Sequence, residues 1–314
     1  MGIRQSALQR LRKNSISAKD IASQAWCEKQ MELYISTPMP ETFAMKKGSD
    51  FHETQKSEVF VSLTVPPVTW PDRFYKSAYE NYTSLSSLVE KGVCRELKVY
   101  GSINGFKISG QVDELRLEAG KVVVVEDKTV GNIANITEAR LRPDKIQASL
   151  YRKLISDIRK KSYTMANFSS AYSIDNMSLS KEFLQGLESI GIKEELQSPK
   201  AIYQKMFEAM LSIPEISEKL ELRYFDNKTG ELLSNIKITY DETMLSAWLQ
   251  KSMAYWSGER DAEPVPESDA CILSGRSLAS VMLAMFPTVL SSTTHHSHHS
   301  WKKESAGSLK STAQ

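Results

Sequence analysis

Val122-Val123-Val124-Val125 runs directly into Glu126-Asp127-Lys128. Four consecutive β-branched residues mark a strand buried on both faces. Ending such a strand in three charges requires a use for them, because an unpaired buried carboxylate is costly. Side chains alternate along a strand, so Glu126 and Lys128 point to one face and Asp127 to the other.

The strand has neighbours. Residues 96–100, 106–117 and 121–128 read as three successive antiparallel strands, with Gly120 at the second turn. Pairing 106–117 with 121–128 around that turn brings Asp113 close to Glu126 at one end of the ladder. Two carboxylates held together repel, and a hard divalent cation neutralises them. A lysine on the same face can orient or deprotonate a water beside that cation. This chemistry suits in-line attack on a phosphodiester.

Flanking segments are mostly helical. Residues 7–34 read as helix, cap and helix, with N-cap candidates between Ser15 and Asp20. Lys47–Glu53 lies in a further helical stretch, and 59–65 reads as a strand ending at Pro66-Pro67. Pro143-Asp144 is expected to open a helix reaching about Ser162, and 164–219 reads as mostly helical. A hairpin is expected at 220–225 and 232–240, then an amphipathic helix 243–258 closed by Gly258. Past Ala270 the Ser, Thr and His-Ser composition cannot bury a core.

The chain has 314 residues, and 40 basic against 38 acidic residues leave a formal charge of +2, so any nucleic-acid surface must be local. No apolar run reaches the roughly 18–20 residues that span a bilayer, so no membrane partner is expected. Three cysteines exclude a disulfide framework and fit a reducing, intracellular compartment. That means cytoplasm in a prokaryote, nucleus or mitochondrion in a eukaryote.

Gly110-Gln-Val-Asp113 followed by Glu126-Asp-Lys128 resembles the core of the PD-(D/E)XK nucleases. Gly48-Ser-Asp-Phe-His52 resembles the GxxxH motif of the RecB-type branch, and Gln147-Ala-Ser-Leu-Tyr151 its QxxxY motif. Ser17-Ala-Lys-Asp20 and the segment from Trp26-Cys27 to Tyr34 are similar to the opening of the exonuclease V branch and of the CRISPR-associated RecB-like iron–sulfur nucleases. The resemblance implies an α/β fold, a restriction-endonuclease-like core of central mixed sheet flanked by helices, with helical additions. A single nuclease domain is expected over 1–270, with a catalytic core at about 45–155, a helical insertion at about 160–218, and the hairpin and closing helix at 219–258.

It also implies roles. His52, Asp113 and Glu126 would hold Mg²⁺ or Mn²⁺, Lys128 would be the catalytic lysine, and Gln147 and Tyr151 would steady the site. Arg140, Arg142, Lys145 and Arg152 would line a passage for DNA, with Tyr151 and Lys153 beside them. The expected activity is metal-dependent exonuclease cleavage of DNA, single-stranded in preference, in repair or processing, with a single-strand-binding protein as a candidate partner. A CRISPR-adaptation nuclease, or a DNA-binding relic that has lost its cluster, are the alternatives.

One part of the family pattern is broken. The [4Fe-4S] cluster of these nucleases takes four Cys thiolates, of which Cys27 matches the first, and this sequence holds only Cys94 and Cys271 besides. Cys94 reads as a buried small hydrophobe. One choice of codons for Ser280–Leu290, read from the third base, gives Cys-Asp-Ala-Cys-Asn-Val-Pro-Asn-Cys-Pro. Residues 271–314 are therefore expected to be a disordered, frame-shifted tail, and the activity to be impaired by loss of those cysteines.

Overall fold

The computed structural model describes residues 5–37, 40–57 and 62–265. These belong to a compact unit, Met1–Val265; a second unit, Pro266–Gln314, and with it the expected tail and Cys271, lie outside the described residues. No helix among the described residues is long and apolar enough to cross a membrane.

The chain opens with α1 (Ala7–Arg10), a two-residue strand β1 (Ile16–Ser17), α2 (Ala18–Ser23), α3 (Glu28–Ser36) and α4 (Phe43–Ser57). Ser17 caps α2 in a reciprocal box with Asp20, which satisfies two otherwise orphaned N–H groups. The long helix α5 (Trp70–Lys91) follows, then β2 (Val93–Ile103), β3 (Phe106–Glu118) and β4 (Lys121–Val130). Thr69 and Asp72 box the start of α5, Pro71 fits its first turn, and Gly92 ends it in the left-handed conformation. Next come α6 (Glu138–Arg159), α7 (Met165–Tyr172), α8 (Lys181–Ser189), α9 (Pro199–Ser212), β5 (Lys219–Asp226), β6 (Leu232–Thr239) and α10 (Glu242–Ser257).

Two expectations need correction. The described part of the strand expected at 59–65 is irregular. Leu63 and Val65 are buried, but the Leu63 N–H donates to the Glu80 carboxylate on α5 rather than to a ladder. Helix α6 begins at Glu138, so Pro143 lies inside it instead of opening it. Near a helix N-terminus a proline forfeits only one intrahelical bond.

The sheet is mixed. β3 pairs antiparallel with β2 along most of its length and, on its other edge, antiparallel with β4 and parallel with β1. β4 continues in parallel with β5, which pairs antiparallel with β6. The β3–β4 ladder runs from Glu118/Lys121 only as far as Glu114/Val125. Beyond it the strands part, β3 towards β1 and β4 towards β5. This fork opens at Asp113 and Glu126, the residues next in register.

Helix α6 packs against β2, β3, β4 and β5 and carries Ile146, Leu150, Leu154, Ile155 and Ile158 into the core. Full burial of each such side chain stabilises by roughly 1.5–3 kcal/mol. The approach is close: a Cβ on Gly110 would lie 2.4 Å from the Tyr151 ring, so only glycine lets Tyr151 rest on β3. The chain's ends within this unit are joined without metal. Buried Glu28 is gripped by Arg260 at 2.5 and 2.6 Å, accepts from Gln24 and from the Glu263 N–H, and Trp256 on α10 donates to Gln24.

Candidate active site

The fork holds Asp113 and Glu126 at one end of a cavity of about 740 Å³, lined also by His52, Lys128, Gln147 and Tyr151. Asp113 takes the place of the missing ladder bond: its Oδ2 accepts from the Asp127 N–H at 2.8 Å. Its Oδ1 lies 3.8 Å from His52 Nδ1. Helix α4 brings His52 in. Gly48, one turn earlier, lies where a Cβ would stand only 3.3 Å from Thr129 Oγ1, which favours a close approach of α4 to β4.

Glu126 is fully buried; one oxygen accepts from the Lys128 ammonium, and Oε2 has no partner. Lys128 Nζ also reaches Gln147 Oε1 at 3.4 Å, and Gln147 Nε2 donates to the Tyr151 hydroxyl at 3.0 Å. The expected six residues are thus brought together. As expected from alternation, Asp127 turns away, clamped by Arg223 at 2.7 and 2.8 Å.

Immediately around Glu126 carboxylates outnumber cations, with Asp113 and Asp144 nearby and Lys128 opposite them. Burial and then the neighbouring Asp113 hold Glu126 well above the usual carboxylate range. Burial likewise pushes Asp113 up to about 6, against the pull of Lys128 and His52. Burial works to lower the Lys128 pKa, but Glu126, Asp144 and Asp113 outweigh it and fix the side chain as an ammonium. The hydrogen bond to Glu96 raises the His52 pKa, despite desolvation.

Two acidic residues at the site were not among those singled out from the sequence. Glu96 on β2 lies 3.5 Å from His52 Nδ1, and Gln111 donates to its other oxygen. Its backbone takes φ 56°, and the β2–β3 ladder skips this step, pairing Arg95 with Glu114 and Leu97 with Val112. A non-glycine residue held there costs on the order of 1–3 kcal/mol and persists only where its surroundings impose it. Asp144 accepts from the Tyr224 hydroxyl at 2.6 Å and is pushed up by burial, against the pull of Lys128. The register opposite Asp113 was the sequence signal for Glu96; Asp144 had none.

The DNA-lining residues need correction. Arg152 is buried: Nε donates to the Ser217 carbonyl, another nitrogen binds Glu218, and the guanidinium lies 3.9 Å over the Tyr240 ring. It shares a helix face with Ala148 and Ile155, both buried, which turns it inward. Arg140, Arg142 and Lys145 do not line the cavity, and Lys145 pairs with Glu138 at 2.8 Å. The basic lining comes instead from Lys19, Arg73 and Lys98, beside Trp70, Phe74 and Tyr100. Trp70 is 52% exposed and stacks on Phe74 with ring centroids 4.9 Å apart.

The donor set suits a hard divalent cation, which takes oxygen ligands and an imidazole, and the orphaned Glu126 Oε2 is a ligand atom without a protein partner. It does not suit a four-thiolate cluster. Cys94 is fully buried with its thiol pushed up to about 12 by desolvation, and the Cys27 thiol caps α3 by accepting from the Gln30 N–H.

The fold is thus a mixed α/β sheet with an acidic, lysine-bearing cavity at a strand fork. The family comparison narrows this. Residues 6–121, 116–206 and 192–273 match the model of the family described as "Exonuclease V - a 5′ deoxyribonuclease". The chain belongs to the exonuclease V family, a family of DNA exonucleases. Exonuclease V of Danio rerio is 23% identical over 279 residues, covering 84% of this chain and 69% of that protein. Among solved structures, SSO0001 is 13% identical, with a TM-score of 0.38 over 85% of this chain and 87% of its own. A candidate exonuclease from Eubacterium rectale is 10% identical, with a TM-score of 0.36 over 88% of this chain and 99% of its own.

Proposed function

We propose that this chain is a divalent-metal-dependent exonuclease of the PD-(D/E)XK, RecB-like type that hydrolyses phosphodiester bonds of single-stranded DNA. The observation that carries the reading is the fully buried Glu126, whose Oε2 lacks any partner, beside Asp113 in a cavity that also holds Lys128. His52, Asp113 and Glu126 would hold Mg²⁺ or Mn²⁺, which when bound supplies a Lewis acid to activate water and offset phosphate charge. One P–O bond forms to the attacking water and one breaks, leaving a phosphate monoester and a hydroxyl.

The chain's own residues set up this chemistry. The Asp127 N–H fixes Asp113 at one oxygen and leaves the other towards the cavity. Lys128, held as an ammonium by Glu126 and steadied by Gln147, donates to the scissile phosphate or to the incoming water. Tyr151 holds Gln147 in turn. The wall of Trp70 and Phe74, with Lys19, Arg73 and Lys98 nearby, favours an unpaired strand, because stacking requires exposed base faces and reads no sequence.

The test is release of nucleotides from end-labelled DNA, single- and double-stranded, with Mg²⁺, with Mn²⁺ or with chelator. Cation-dependent release from single strands, lost in Asp113→Ala, supports the reading. Release that survives in chelator or in the variant rejects it.

A further inference from the structure

Helix α6 offers the fork one residue more than Gln147 and Tyr151. Asp144 stands three residues before Gln147 and seven before Tyr151, so the three share one stripe of the helix. Gln147 and Tyr151 line the cavity and Asp144 does not. The chemistry set out above gives Asp144 no part, yet a carboxylate desolvated in a site already rich in them is costly to keep.

Strand β5 accounts for its placement. Lys128 of β4 lies in register with Tyr224 of β5, so the two side chains share a face of the sheet. Tyr224 is buried, and its hydroxyl donates to Asp144 Oδ2 at 2.6 Å. This bond ties β5 to α6 beside the lysine. After Glu126, Asp144 is the carboxylate that bears most strongly on the Lys128 charge, and Lys128 is the cation that bears on Asp144. Gln147, on the same stripe, reaches the ammonium at 3.4 Å. The lysine thus has two holders: Glu126 from its own strand, and the Asp144–Gln147 stripe of α6.

These holders are not equivalent. Glu126 also serves as a cation ligand in the reading above, and a carboxylate that shares its charge with a divalent ion attracts an ammonium less. Asp144 has no such second duty. We propose that Asp144, fixed by Tyr224, is the positioning residue for Lys128 and keeps its ammonium aimed at the scissile phosphate while Glu126 is engaged elsewhere. This rests on the metal-dependent reading, in which Lys128 acts on the phosphate. Asp144 lies off the cavity wall and acts through the lysine.

The experiment compares the wild type, Asp144→Asn and Tyr224→Phe as full-length chains. Cleavage of single-stranded DNA in Mg²⁺ is expected to lose about 10- to 100-fold in kcat in each variant, with KM and the Mg²⁺ requirement unchanged. The double variant is expected to be no worse than Asp144→Asn alone, because the pair acts as a unit. A second readout needs no turnover: the ammonium signal that Lys128→Met removes, read by NMR on nitrogen-labelled lysine. With saturating Mg²⁺ and no DNA it is expected to persist in the wild type and to be lost to solvent exchange in Asp144→Asn. Full kcat in Asp144→Asn, additive losses in the double variant, or an ammonium signal that Asp144→Asn leaves untouched or that the Mg²⁺-saturated wild type lacks overturns the positioning role. Tyr224→Phe decides the matter by the same two readouts should Asp144→Asn not fold. A wild type that cleaves in chelator, or Lys128→Met cleaving at the full rate, rejects the metal-dependent reading itself.

Discussion

The two sides of strand β4 carry the same kinds of residue with opposite outcomes. On the Asp127 side, Arg95, Arg116, Arg223 and Lys237 meet Glu114, Glu118, Asp127 and Glu221, four cations against four carboxylates at distances mostly of 2.6–3.4 Å. On the Glu126 side, four carboxylates share one lysine and a histidine, and a buried oxygen is left without a partner. A charged network that balances holds the fork in shape. One that does not balance is arranged to receive something positive. The Asp127 N–H links the two, because the strand that Arg223 anchors is the strand that positions Asp113.

Substitutions should separate the two sides. The largest expected effect is on activity: Asp113→Ala should lower nucleotide release by about a thousandfold or more, equivalent to about 4 kcal/mol of transition-state stabilisation, without loss of fold by circular dichroism. On the other side, Arg223→Ala should cost stability of about 3–5 kcal/mol, because Asp127 and Glu114 are left buried without it. Denaturant unfolding measures this. Glu126→Gln makes the contrast, since removing a buried, badly compensated charge should leave the metal-free protein as stable or more so, while abolishing cleavage. Smaller again, Trp70→Ala should weaken single-stranded DNA binding by about 1–3 kcal/mol, read by fluorescence anisotropy. Arg140→Ala, away from the cavity, should change binding by less than about 0.5 kcal/mol.

The pH dependence follows from Asp113. Its carboxyl is held up to about 6, against an ordinary value of 3.8, so between those values the folded chain keeps a proton that the unfolded chain has lost. Metal-free stability should therefore fall as pH rises from about 4 to 6, and Glu126 and His52, both also raised, carry the fall further. Cation affinity should rise over the same window, because a ligand must shed its proton to bind. Calorimetric melts from pH 4 to 8, with and without Mn²⁺, measure both slopes.

Much of the fork was legible in the sequence. The four valines, the turn at Gly120 and the alternation through Glu126-Asp127-Lys128 give strand, register and facing side together, and they bring Asp113 to Glu126. His52 and the Gln147–Tyr151 pair came from the resemblance to the GxxxH and QxxxY motifs of a known family, and the structure brings them to the same cavity. Less legible was whatever depended on departures from regularity. Glu96 matters because β2 kinks there, which no propensity signals. Pro143 looked like a helix start because the favourable first-turn position and a tolerated interior one look alike in sequence. The inward turn of Arg152 was recoverable, since Ala148, Tyr151 and Ile155 define a buried face that includes it. The cavity's aromatic wall lies at the start of α5, where Thr69, Pro71 and Asp72 had offered an unread helix start.

The central claim is that the Glu126 side of the fork is built around positive charge it does not itself supply. Thermal melting at pH 7.5 with chelator and then with excess Mn²⁺ tests this most directly. At a hundredfold excess over the dissociation constant a bound ion stabilises by about 2.7 kcal/mol, or roughly 5–10 °C for a chain of this size. The account expects such an upward shift in the wild type and in Arg140→Ala, and a much smaller one in Asp113→Asn. No shift in the wild type, or an equal shift in Asp113→Asn, would contradict it.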